Sequence, residues 1–190
     1  MNDALDVFLS QWARERPDVD AAPMGVVGRI KRANRLLSRG VEDFFAEEGL
    51  EVWEFDVLAT LRRSGAPHRL TAKELVAMAM VGSAAMTHRV DRLVGRGLVT
   101  RGADPDNRRR VLVELTPEGL ALVDRVLEGH VANETRLLAG LDAGQREQLE
   151  GLLRTLLLSL GDTLPEGAGG RGLSGRAGVR PPPGGGKPRS

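Results

Sequence analysis

Cysteine is absent from the 190-residue sequence, which removes disulfide frameworks, thiol redox sensing and thiolate metal sites together. Histidine is nearly as scarce. His68, His88 and His130 stand far apart without ligand spacing, so no structural zinc site is expected. No apolar run of about 18 residues occurs, and the N-terminal MNDALDVF is acidic where a signal peptide would be basic. A soluble, intracellular, cytoplasmic protein is expected. No nucleophile–base arrangement, phosphate-binding loop or metal cluster is present either, which argues against an enzyme and gives no reason to expect a cofactor. With 41% hydrophobic residues the chain has room for one domain with a sizeable core.

The overall balance of charge is only +1, but it is unevenly spread. Between Ser83 and Arg110 there are seven arginines against three aspartates, a local balance of +4. That segment opens as a short amphipathic helix. Met86, Val90, Leu93 and Val94 form an apolar stripe opposite Thr87, His88, Asp91 and Arg92. Gly97 stops it. Leu98 to Arg101 reads as a strand, and Val111, Val113 and Leu115 alternate as its returning partner across a Pro/Asp/Asn turn crowded with arginine. A helix followed at once by a basic-tipped hairpin outlines a winged helix-turn-helix, one element for the major groove and the other for the backbone or minor groove.

The flanking chain agrees. Residues 3 to 16 form an amphipathic helix with Leu5, Phe8, Leu9 and Trp12 on its apolar side, ended at Arg16-Pro17. Met24 to about Glu48 keeps the helical period through Val26, Val27, Ile30, Leu37, Val41, Phe44 and Phe45, with Gly49 as its stop. A helix from about Glu51 to Arg63 carries Phe55, Leu58 and Leu61. Thr71-Ala72-Lys73-Glu74 is a capping box that starts a short helix. Val81-Gly82-Ser83 is the turn into the recognition helix, with Ser83 as its N-cap. Thr116-Pro117-Glu118 starts another helix, reaching about Ala139. Asp142 caps a last one, whose ladder of Leu149, Leu152, Leu153, Leu156, Leu157 and Leu160 suits a dimer interface. The expected fold is mainly α with a small β-hairpin wing, dimerising through N- and C-terminal helices. Residues 1–20 would be an additional helix, 21–50 a linking and dimerisation helix, 51–116 the DNA-binding lobe and 117–160 further dimerisation helices. Residues 161–190, rich in Gly, Pro and Arg, are expected to be disordered.

Residues from about 24 to 160 resemble the MarR (multiple antibiotic resistance regulator) family of homodimeric winged-helix transcription factors. The wing motif of that family, D-x-R-S-x-x-V-x-L-T, is matched here by Arg109, Val113, Leu115 and Thr116, with Asn107 where the motif has aspartate. A narrower resemblance, to the urate-responsive, PecS-like branch, lies in Trp12 to Asp20 (WARERPDVD) and Pro23-Met24-Gly25-Val26. That branch is characterised by a tryptophan in the added helix, an aspartate before the helix-turn-helix, an arginine in the recognition helix and another in the first wing strand. Trp12, Asp56, Arg89 and Arg101 supply them in order. The resemblance implies that urate lies between the added helix and the DNA-binding lobe, held by Trp12 and Arg89, and that its charge disturbs an Asp56–Arg101 pairing and shifts the recognition helix.

A flat, singly charged heterocycle does call for an apolar plate and a forked guanidinium. Arg89 lies at the border of the apolar stripe, so it can point inward where His88 and Arg92 cannot. Ser83, Ala84, Thr87, His88 and Arg92 are the expected major-groove readers. Arg108, Arg109 and Arg110 are expected on the backbone or minor groove, Arg109 as the residue inserted where an A·T-rich groove is narrow. Plainer readings stand beside these: Trp12 as a packing anchor, Asp56 as a helix salt bridge, Arg89 as a phosphate contact, Arg101 as a surface charge. Two alternatives for the whole chain also stand, a repressor answering to a phenolic or other small acid and a nonspecific architectural DNA-binding protein.

Overall fold

A computed structural model describes residues 2–79, 86–105 and 107–163. The elements run α1 (Ala4–Glu15), α2 (Ala22–Glu47), α3 (Val52–Arg63), β1 (Arg69–Thr71), α4 (Ala72–Met78), α5 (Met86–Gly95), β2 (Val99–Ala103), β3 (Val111–Leu115), α6 (Pro117–Leu137) and α7 (Ala143–Ser159). The expected N-termini of α4, α6 and α7 all form. Thr71 Oγ1 accepts from Glu74 N–H while the Glu74 carboxylate accepts from Thr71 N–H. Thr116 Oγ1 accepts from Gly119 N–H, and Asp142 exchanges the same reciprocal bonds with Gln145. Each satisfies backbone donors that a helix start leaves without intrahelical partners. Gly97 ends the recognition helix with a left-handed φ of 72°, open to glycine without steric penalty. The expected N-cap Ser83 and its turn lie outside the described residues, as does the tail from 164 onward.

The sheet has three antiparallel strands in the order β1-β3-β2. β2 and β3 are the expected hairpin, with Val99 opposite Leu115 and Arg101 opposite Val113. β1 was not anticipated. It is three residues long with one apolar side chain, Leu70, and exists because the outer edge of β3 takes up its backbone groups. Leu58, Leu61, Leu75, Leu93, Val99 and Val113 are buried between this sheet and α3, α4 and α5. Phe45 of α2 stacks at 4.7 Å on Phe55 of α3 and at 4.9 Å on His130 of α6, so an aromatic joint connects the lobe to the long helices. Val94, expected in the apolar stripe of α5, is exposed; Met86, Val90 and Leu93 carry it alone.

α1 packs on α2 where Gly25 and Gly28 carry no side chain. A Cβ at Gly28 would lie 2.6 Å from Leu5 Cδ1. Leu5 is buried there, whereas Phe8 and Trp12 remain about half exposed. The lone chain also leaves bare Val26, Val27 and Leu36 on α2 and the whole leucine ladder of α7, a helix without one buried residue. No helix among the described residues is long and apolar enough to cross a membrane.

Candidate nucleic-acid interface

The apolar stripe of α5 is pressed into the core, so its opposite side carries Thr87, His88, Asp91 and Arg92 to solvent. One flank of the helix is fastened to the start of α3. The guanidinium of Arg89 lies 5.4 Å from the ring centroid of Trp53, and that of Arg92 lies 4.9 Å from it. Positions three apart share a helix face, so both cations reach one ring. Arg92 Nη2 also donates to Glu51 Oε1 at 2.6 Å, and Trp53 Nε1–H donates to the other oxygen of that carboxylate. These two donors, Trp53 first and Arg92 second, hold the Glu51 carboxyl below the usual carboxylate range, with Arg89 adding to the effect. A turn further on, Arg96 Nη1 donates to Glu54 Oε2 at 2.7 Å and Nη2 to the carbonyl of Gly49 at 3.2 Å. The flank facing the wing is held by Arg101 Nη1 and Asp91 Oδ1 at 2.7 Å.

The wing tip is ordered through its backbone. Asp104 N–H donates to the carbonyl of Arg110, and Arg110 N–H to that of Asn107. The side-chain oxygen of Asn107 accepts from Arg109 N–H at 3.1 Å. The neutral residue at this position therefore closes a turn on its own backbone. Arg108, Arg109 and Arg110 are exposed, and none of them forms an ion pair among the described residues. Three exposed guanidiniums with no ion-pair partner among the described residues, beside a helix whose polar face points outward, form a surface suited to a phosphate backbone.

The residues singled out in the sequence fall into separate places. Thr87, His88 and Arg92 share the outward side of α5, and Ser83 and Ala84 lie outside the described residues. Trp12 lines a cavity of about 530 Å³ built by α1 and α2 alone, with Leu5, Phe8, Met24 and Lys31 among its walls. Arg89, expected to point inward toward a ligand, is half-buried, and the ring it meets is Trp53. Arg92, expected to point only outward, folds onto the same ring, because a long guanidinium at the edge of the polar face can lie back along the helix. The ion pair of Arg101 runs to Asp91, within the α5–β2 corner, and not to Asp56 as the resemblance implied. Asp56 is half-buried on α3, and its carbonyl accepts from Thr60 Oγ1. Trp53, Glu51 and Glu54 were missed. The one available signal was the coincidence of an aromatic and two acids at the start of α3 with arginines spaced at 89, 92 and 96.

A capped helix leading to an outward-facing helix and a basic hairpin defines a winged helix-turn-helix DNA-binding protein. The chain belongs to the MarR family, whose pattern matches residues 50–111. The transcriptional regulator PecS of Dickeya dadantii is 39% identical over 146 residues, 77% of this chain and 88% of that protein. The solved structure of Bordetella bronchiseptica BpsR, whose DNA binding is regulated by 6-hydroxynicotinic acid, matches with a TM-score of 0.63 at 27% identity, over 73% of this chain and 94% of that one. A mutant MarR of Escherichia coli complexed with operator DNA matches with a TM-score of 0.61 at 26% identity, over 77% and 97%. The protein is accordingly a DNA-binding transcriptional regulator and not an enzyme.

Proposed function

We propose that two copies of the chain form a repressor of a pseudopalindromic operator and that a small planar anion, urate in the first place, releases it. The observation that carries this reading is how α5 is held. Arg89, Arg92 and Arg96 all engage the start of α3, so an anion captured by Arg89 from the protein side competes with the contacts that set the helix's position. Arg101 and Asp91 would pass that displacement to the wing. A differential affinity of about 1–3 kcal/mol between the two positions of the helix gives roughly 5–150-fold release. Trp12, Asp56, Arg89 and Arg101, present in the order of the PecS-like branch, support urate. Regulation of BpsR by 6-hydroxynicotinic acid favours a second reading, another flat heterocyclic or phenolic acid at the same arginine. Pairing of two copies is supported by the apolar faces of α2 and α7, too extensive to stay bare on a lone subunit.

A gel shift on the DNA upstream of the chain's own gene, titrated with urate, tests the proposal. The band should be lost with urate in the wild type. It should resist urate in Arg89→Ala, and Trp12→Ala should raise the concentration required. Full retention of the wild-type band at millimolar urate rejects urate, and the same titration with 6-hydroxynicotinate then tests the second reading. Light scattering that finds a single chain at micromolar concentration rejects the dimer.

The wing gives a separate expectation. Arg109→Ala should weaken binding to operator and scrambled duplex alike and flatten the slope of log K against log salt by about 0.9, one phosphate contact. Fluorescence anisotropy at several salt concentrations measures both. An unchanged slope removes Arg109 from the phosphate contacts.

A further inference from the structure

We propose that Glu51 is an internal competitor for the DNA backbone: it holds Arg92 while the protein is free and surrenders it to a phosphate when duplex docks. Arg92 is the cation at the edge of the outward side of α5, and in the free chain its charge is already matched by the carboxylate 2.6 Å away. Trp53 fixes both partners. Its ring lies beneath the Arg92 guanidinium, and its N–H occupies the second oxygen of Glu51, so the acid is held toward the arginine. Glu51 is ionised at neutral pH, its carboxyl held down by Trp53 and Arg92.

Both side chains are about half exposed, 46% for Arg92 and 53% for Glu51. Exchange of partners therefore needs no unpacking of the core. The neighbouring pair behaves differently: Glu54 is buried, and Arg96 cannot leave it without stranding a charge. Arg92 is thus the transferable arginine of this flank and Arg96 the fixed one. A solvent-facing ion pair is weak, whereas a phosphate contact also releases a condensed counterion. The exchange accordingly runs toward DNA at low salt and back toward Glu51 as salt rises. Arg92, expected from the sequence among the major-groove readers, is then a backbone contact, and Glu51 restrains every duplex equally while leaving Thr87 and His88 untouched.

A double-mutant cycle tests this, with anisotropy on labelled duplexes carrying the upstream sequence and its scramble, in full-length protein. Glu51→Gln keeps the acceptor for Trp53 and removes the charge. It should tighten binding to both duplexes, by about 3-fold at low salt, the scale of one exposed ion pair. Arg92→Ala should weaken binding and flatten the salt slope by about 0.9. In the Arg92→Ala background the gain from Glu51→Gln should vanish. An equal gain in that background would show that Glu51 repels DNA without handling Arg92. Weaker binding by Glu51→Gln alone would show that the acid presents Arg92 to DNA. Either result overturns the proposal. Circular dichroism melts establish that each variant is folded, and Glu51→Asp, which retains the charge, should not show the gain.

Discussion

Arg96→Ala should lower the stability of the free protein by about 3 kcal/mol, far more than the loss of one surface ion pair. Its partner Glu54 is 1% exposed. One carboxylate oxygen accepts from Arg96 and from the Glu51 N–H, at 2.7 and 2.9 Å, and the other has no hydrogen-bond partner among the described residues. Removing the guanidinium leaves a buried carboxylate with one backbone donor, the Glu51 N–H, for company. Breaking a buried pair from one side costs about 3–5 kcal/mol because the remaining charge is uncompensated. The lower end applies here, since Arg96 is 40% exposed and water can enter where it lay. The midpoint of urea unfolding should fall at unchanged slope, at a fixed protein concentration. Adding Glu54→Gln to Arg96→Ala should restore most of the loss, because a neutral amide is far cheaper to bury. An unshifted midpoint in the single variant would mean that Arg96 does not compensate Glu54.

The same substitution should impair DNA binding beyond its effect on folding. Arg96 also donates to the carbonyl of Gly49, so it joins the end of α5 to the turn between α2 and α3. Without it the contacts of α5 on this flank are those of half-buried Arg89 and half-exposed Arg92 with Trp53 and Glu51.

What could be read from the chain alone was whatever is settled over a few residues. The stripe Met86-Val90-Leu93, the alternation Val111-Val113-Leu115 and the caps at Thr71, Thr116 and Asp142 each depend on neighbours within one or two turns, and all formed. β1 escaped because Arg69-Leu70-Thr71 has no pattern of its own and becomes a strand only through a partner more than 40 residues away. Glu54 escaped because a carboxylate in the first turn of a helix ordinarily faces water. Its burial follows from Arg96 reaching it across the fold. Trp53 escaped for the same reason: its partners sit on another helix. Trp12 illustrates the converse. The apolar side of α1 was legible, but which part of it the chain covers was not, because Gly28 admits Leu5 and leaves Phe8 and Trp12 half exposed.

Gly119→Ala should disturb the base of the wing with a comparable loss of stability. A Cβ at this position would stand 2.0 Å from the carbonyl oxygen of Leu98 and 2.9 Å from its carbon. Both sides of that contact are backbone, so no side chain can turn aside. Relief requires the first turn of α6 to move off the start of β2. That first turn is where the hairpin is locked. Thr116 N–H donates to the Leu98 carbonyl at 3.1 Å, Thr116 Oγ1 donates to the Gly97 carbonyl at 2.8 Å, and Gly119 N–H donates to Thr116 Oγ1 at 2.9 Å. Overpacking of this kind costs about 1–3 kcal/mol, and each lost hydrogen bond adds about 1. A total near 3 kcal/mol corresponds to a fall in Tm of about 6–12 °C for a domain of this size. Gly129→Ala is the informative contrast. Its added carbon meets only the outer edge of the Phe44 ring, at 3.0 Å, a side chain that has to give by a few tenths of an ångström where Leu98 presents backbone. Gly129→Ala should therefore leave Tm within a few degrees of wild type, while Gly119→Ala also loses affinity for operator and scrambled duplex together as the wing arginines are displaced. Equal Tm values for the two variants would show that α6 is free to slide at Leu98 and that the wing does not depend on this junction.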